Sequence, residues 1–387
     1  MYLILTSFFY RNELQIMYRL IFFIFSSIML TQFSNCSSKT EMEVNDESNG
    51  LILFSESMVP VKLKSQKKEV SDFRLPIRIK KIDEYLFITD LKRDKGMVAI
   101  YDLINDRYLR SIIPKGNGPS ELSAVSSIVG GNDGRIYFYD LQSLRLLEAD
   151  LNKLITDSLV QPVYSKRIIS DDYEKPLRIV NASDTSFIAY SVPGIKGRFS
   201  FLDRNFGFTG HQFGEYPPLE KTGEAHDMAQ VPFYAQVLGN IYSSSISTLP
   251  SNNFFIVAHH NVDLIEIYDY KSGQRLKRII GPDQNFPPAY VINSGGQGAP
   301  CLECRCGYSS PQITSRYYAF LRLHKLYKEA DAYLSRYIYL FDFEGRLISV
   351  LELDAEISEF VIDEQRKKIY AIAFDEDSVL LSYDLPV

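Results

Sequence analysis

Six times along the chain an apolar, strand-like run ends in Asp at the mouth of a turn: AIYDLIND, LLEADLNK, FSFLDRNF, IEIYDYKSG, IYLFDFEG and LLSYDLPV. The residues are Asp102, Asp150, Asp203, Asp269, Asp342 and Asp384, and their spacing averages about 56 residues. That period suits the blades of a propeller. Each blade is a four-stranded antiparallel sheet that must stack on its neighbours to bury both faces. Asp suits the strand end because its carboxylate accepts backbone N–H groups inside the turn. The expected fold is therefore all-β, a six-bladed β-propeller over residues 51–387, and the six Asp are read as structural.

The flanking runs supply the other strands. Blade one reads LPIRIKKID, YLFITD, MVAIYD and RYLRSI; blade two reads AVSSIVGG, RIYFYD, RLLEAD and KLITDSL. Alternation or continuous apolarity, with polar turns between, marks each as a strand. Asp133-Gly134 supplies a turn where Gly takes positive φ without strain, and Ser272-Gly273 and Glu344-Gly345 mark turns of blades four and five. Blade three shows SFIAYSV and RFSFLD, and blade four FFIVAHH, LIEIYD and RLKRII. Blade five has YYAFLRL, YIYLFD and RLISVLEL, with a helical stretch, HKLYKEADAYL, expected as an insertion in its hairpin. Blade six supplies EFVID, KIYAIAF and VLLSYD. Only Leu385, Pro386 and Val387 follow Asp384, so blade six lacks its outermost strand. An open edge is aggregation-prone and ring closure removes it. The segment LILFSESMVPVKL, residues 51–63, is expected to fill the vacancy.

The N-terminus addresses location. Met17 opens a segment with Arg19, an apolar core of roughly fourteen residues and small polar residues before Cys36. This is the design of a signal peptide over 17–35, with residues 1–16 an extension ahead of the true start. FSNC resembles a lipobox, although Phe33 and Asn35 depart from the usual residues, and it makes Cys36 the expected lipidation site. Residues 36–50 read as a polar, acidic tether.

With 45% apolar and 23% charged residues and a net charge of −6, the chain offers no basic stretch to track phosphates, and nucleic acid is set aside. No GxSxG elbow, HExxH or phosphate loop with a following Lys is present. Cys301, Cys304 and Cys306 crowd one connection, where a disulfide, free thiols or a metal site are all open readings. His259 and His260 end a strand and point to opposite faces, so only one can reach the channel. His211 and His226, with Glu215, Glu220, Glu224 and Asp227, read as a solvated loop that could also hold a cation.

Lys115 to Asn152 resembles an NHL-type propeller repeat through Gly116, Gly118-Pro119, Glu121 and the strand ending Tyr139-Asp140. With the lipobox and the closing blade, the whole resembles the TolB-like six-bladed propeller lipoproteins of Bacteroidota. The resemblance implies a fold and a cell-envelope location, on the periplasmic or the surface side of the outer membrane, and assigns no catalytic residue. The expected function is a lipid-anchored binding module for a protein or carbohydrate, membrane-bound through its lipid alone and without a cofactor. The alternative is a divalent-metal hydrolase or lactonase at the channel mouth.

Overall fold

A computed structural model describes residues 51–386 apart from 55–57, 71–72, 94, 132, 169–174, 184–185, 192–196, 218–233, 250–252, 284–289, 293–297, 301 and 375–377. The signal segment, Cys36, the tether, Cys301, His226, Glu220, Glu224 and Asp227 lie outside the described residues.

Four-stranded antiparallel units follow one another along the chain, each running from an innermost to an outermost strand. Blade one is Pro76–Ile82, Tyr85–Asp90, Val98–Asp102 and Arg107–Ile112. Blade two is Ser127–Gly130, Arg135–Asp140, Arg145–Asp150 and Val163–Arg167. Blade three is Pro176–Ser183, Ser186–Ser191, Phe199–Asp203 and Phe208–Phe213. Blade four is Ser244–Thr248, Phe254–His259, Leu264–Asp269 and Arg275–Ile280. Blade five is Tyr308–Ile313, Tyr318–Arg322, Ser335–Phe341 and the first half of the long strand Leu347–Asp363. The second half of that strand is the innermost strand of blade six, followed by Lys368–Phe374 and Ser378–Asp384. Blades five and six thus share one continuous eight-stranded sheet.

Side chains alternate across each strand, so a blade buried on both faces needs apolar residues at nearly every position. In blade one Phe87 packs towards blade two, while its neighbours Leu86 and Ile88 pack towards blade six. Six apolar clusters result, one between each consecutive pair of blades. The cluster that joins Ile88 and Tyr101 of blade one to Tyr370 and Leu380 of blade six closes the ring.

All six repeat Asp residues end the third strand of their blades, and the carboxylates of four of them hold the turn that follows. Asp102 accepts from the backbone N–H of Ile104 and Asn105, Asp203 from Asn205 and Gly207, Asp269 from Ser272, and Asp342 from Arg346. Asp384 has no following turn and instead pairs with Lys368 at 2.7 Å. Asp150 caps a short helix, Leu151–Thr156, by accepting from Lys153 N–H. This corrects one expectation: KLITDSL is not the fourth strand of blade two, which is Val163–Arg167. The Asp150 cap and the buried Leu151 and Leu154, three residues apart, turn that segment into a helix.

Closure is achieved by the N-terminal segment, but by different residues from those expected. Gln66–Lys68 is the outermost strand of blade six, antiparallel to Leu380–Ser382. Neither Leu51–Leu53 nor Val61–Leu63 enters blade six. Leu51–Leu53 adds a parallel fifth strand to blade four, and Val61–Leu63 adds one to blade five. The segment is a strap across the outer edges of three consecutive blades.

The insertion in the blade-five hairpin is present, but as turns. Tyr327 and Lys328 donate their N–H groups to the carbonyls of Cys304 and Leu302, and Leu326 N–H goes to the Glu329 carboxylate. Donors that a helix would use internally are thereby diverted to a neighbouring connection.

Candidate functional site

The two faces of the ring differ. One carries the connections within the first and the second hairpin of each blade, where the repeat Asp residues sit, and these are short except for 151–162. The other carries the links from second to third strands and from blade to blade, including 113–126, 214–243, 281–307 and 323–334. The innermost strands all start at this second, loop-bearing face. A binding site on a rigid scaffold is expected where long connections gather.

At that end of the channel each blade contributes a polar group. Arg78 of blade one and Arg178 of blade three both donate to one backbone carbonyl of blade two, that of Ser126; the Arg178 Nη1 distance is 2.9 Å. Blade four supplies His260, whose Nε2 lies 2.8 Å from Ser245 Oγ and whose Nδ1 lies 3.2 Å from Ser243 Oγ. Blade five supplies Ser309 and Ser310, and blade six Ser358 and Glu359. Ser310 hydrogen-bonds the Glu359 side chain and reaches the Ser358 carbonyl at 3.4 Å. Lys80 stands one step further along blade one.

Local backbone geometry explains why these side chains leave the blade interfaces. Pairing between the first and second strands shifts register just before Arg78, Arg178 and Glu359, and between Ser309 and Gln312. A β-bulge bends the strand and re-aims a side chain. Ile79 and Ile179, the next residues along, return to the apolar clusters between blades.

Electrostatics follow from this half-enclosed setting. Burial pushes the Glu359 carboxyl up to about 7, against the opposing pull of Ser310, Arg178 and Lys80. Lys80 retains accessible surface, yet the protein around it desolvates its ammonium and lowers its pKa, with Glu359 opposing. Arg178 is lowered for the same reason. His260 is lowered to about 3 by burial, with Arg178 and His259 adding to the effect, so its imidazole is neutral. The Glu359 shift has a consequence for stability. A carboxyl that titrates higher folded than unfolded makes the folded state hold the extra proton. That contribution is complete below about pH 4.5 and is lost as pH rises through about 7. Between those limits the wild type is expected to lose up to about 3 kcal/mol relative to Glu359→Gln, read from denaturant midpoints at pH 4.5 and 8. Parallel pH profiles for the two proteins would contradict this.

The residues singled out from sequence fall elsewhere, apart from His260. His259 is fully buried between blades three and four, its Nε2 3.1 Å from Glu266. His211 is exposed and stacks on Phe201 at 5.0 Å. Cys306 is a buried free thiol in the cluster between blades five and six, and burial pushes it up to about 12. Cys304 is part-buried and is not bonded to Cys306. The connection that carries them is anchored by Arg322, which is fully buried. Arg322 donates to the carbonyls of Cys306 and Gly307 at 3.2 Å and pairs with Asp263 at 3.0 Å and Asp283 at 2.6 Å.

Sequence reasoning missed Arg78, Lys80, Arg178 and Glu359. Two signals were available: the strings PIRI and PLRI, which start the innermost strands of blades one and three, and the serine runs at 126–127, 243–245 and 309–310.

The family profile described as TolB-like 6-blade propeller-like matches residues 53–365. Among solved structures, a Bacteroides fragilis protein described as exported is similar at a TM-score of 0.56 and 15% identity, over 86% of this chain and 98% of that one. At that identity the likeness speaks for the fold alone. The β-propeller domain of Swd1 from Myceliophteria thermophila aligns at a TM-score of 0.44 and 10% identity, over 83% of this chain and 99% of that one. Hydrazine synthase of Kuenenia stuttgartiensis also aligns at 0.44 and 10%, over 80% and 96%. No curated protein sequence matches the chain.

Proposed function

Because the chain belongs to the TolB-like six-bladed propeller family, we propose that it is an exported binding module that takes its ligand at the channel mouth on the loop-bearing face. The observation that carries this reading is the polar ring itself. Six separate blades deliver Arg78, the Ser126 carbonyl, Arg178, His260, Ser310 and Glu359 to the loop-bearing end of the channel. Polar groups converging in a rigid concavity are the usual make-up of a ligand site.

Export is supported by the signal-like segment and by the description of the similar B. fragilis protein as exported, and lipid anchoring by the lipobox-like FSNC that ends at Cys36. On this reading the protein sits in the cell envelope as an outer-membrane lipoprotein, and its ligand is a small molecule or a segment of a protein or carbohydrate that fits the mouth. The metal-hydrolase alternative lacks comparable support. Among the described residues no three His, Cys, Asp or Glu side chains gather closely enough to hold a metal ion.

The test of location is a blocked channel. Lys80→Trp places a large ring on the innermost strand of blade one, at the mouth. Compounds that raise the melting temperature of the wild type are expected to have no effect on this variant. Equal shifts in both proteins would place binding elsewhere.

A further inference from the structure

We infer that the channel mouth is built for an anion, a ligand whose carboxylate or phosphate group sits between Arg78 and Arg178 with Lys80 beside them. The inference rests on reading the mouth as the binding site and adds the ligand's chemistry.

The argument is one of uncompensated charge. Arg78, Lys80 and Arg178 are cations, Glu359 is the acidic side chain they face, and His260 is neutral. The hydrogen bonds of Arg78 and Arg178 go to backbone carbonyls of blade two, Val125 and Ser126 for the first and Ser126 for the second, and neutralise neither charge. Among the described residues Lys80 has no hydrogen-bond or ion-pair partner. Arg78 and Arg178 are half-buried and Lys80 is exposed, so all three charges are within reach of a ligand in the mouth. Three cations gathered there against one carboxyl leave an excess of positive charge for an anion to complement.

Cations gathered in a concavity also raise the local concentration of anions.

A second basic place on the same face makes a useful control. Arg145 and Arg167 lie directly across from each other on the outer strands of blade two and, with Ser143 and Tyr164, line a cavity of about 330 Å³. Arg145 there is already held by the carbonyls of Gly118 and Glu121, at 2.8 and 3.1 Å.

Calorimetric titration of the purified protein with inorganic phosphate, citrate and glucose at low salt tests the inference. Saturable binding of phosphate or citrate but not glucose is expected, and which of the two anions binds separates a phosphate from a carboxylate ligand. Arg178→Gln is expected to weaken anion binding about 10- to 100-fold, the loss of one charged hydrogen-bonding group, and Arg145→Gln to leave it unchanged. Lys80→Met gives the same reading should Arg178→Gln fail to fold. Glucose binding that Lys80→Trp abolishes, with neither anion bound, would overturn the anion inference and keep the site. Anion binding insensitive to both Arg178→Gln and Lys80→Met would overturn both, and so mark an adventitious ion only. Failure of either anion to bind at millimolar concentrations overturns the inference.

Discussion

Replacing Glu266 by Ala is expected to destabilise the protein by about 3–5 kcal/mol, the usual cost of breaking a buried ion pair by removing one partner. Glu266 is fully buried on the third strand of blade four and neutralises a cation that blade three sends across the interface. Arg198, also fully buried, donates to Glu266 Oε2 and to the Tyr268 hydroxyl, each at 2.5 Å. His259 Nε2 approaches the same carboxylate oxygen at 3.1 Å, and Arg278 Nε reaches the other at 3.3 Å. Burial alone would raise the Glu266 carboxyl, yet the Arg198 charge and the His259 hydrogen bond hold it well below the ordinary range. Without it, Arg198 would remain charged among Phe199, Tyr216 and Tyr268 with no counter-ion. The double variant Arg198→Met/Glu266→Leu is expected to recover most of the loss, because a well-packed apolar pair can replace a buried ion pair at little cost. Urea denaturation of the three proteins checks this; a Glu266→Ala midpoint equal to that of the wild type would contradict it.

Removing residues 51–68 is expected to do comparable damage of another kind. Blade six would keep three strands and expose the edge of Ser378–Asp384, while blades four and five would lose their parallel fifth strands. Leu51, Ile52, Phe54 and Leu63, all half-buried against the blades, would be lost with the strap, at about 1 kcal/mol each for half-buried apolar side chains. Phe54 packs edge-on against Phe341 at 5.1 Å, so part of the strap sits in the same apolar layer as the blade-five strands. The open edge carries the larger consequence, since an exposed strand pairs with other chains. The truncated protein is expected to melt about 10 °C lower and to aggregate as concentration rises. Light scattering and melting curves check this, and a monomeric protein with an unchanged melting temperature would refute the role of the strap.

The strap also shows what the sequence makes legible and what it hides. Strands buried on both faces announce themselves as apolar runs, and the Asp turns keep them in phase, so the blades can be read by eye. An outermost strand buries little. Gln66–Lys68 is held by backbone pairing, with its side chains largely in solvent, and nothing in QKK marks a strand. The apolar run just before it attracted the assignment instead, and that run pairs with the edges of blades four and five. Helix Leu151–Thr156 was hidden for a related reason: at six residues it shows too little periodicity to be told from a strand. The site was hidden by distance. Arg78, Arg178 and Glu359 stand on blades one, three and six, and only ring closure brings them to one level. Each is also a single charged residue in a strand, the least conspicuous form a functional residue can take. His259 and Cys306 drew notice for their chemistry, and the fold uses both as packing between blades.

The channel mouth is most directly tested by diffraction from crystals soaked in selenate, a heavy-atom analogue of a tetrahedral oxyanion. The account predicts an anomalous peak within hydrogen-bond reach of Arg78 and Arg178 that disappears in Arg178→Gln crystals. Peaks confined to the outer surface, such as beside Arg145 and Arg167, with no anion in the mouth, would contradict it.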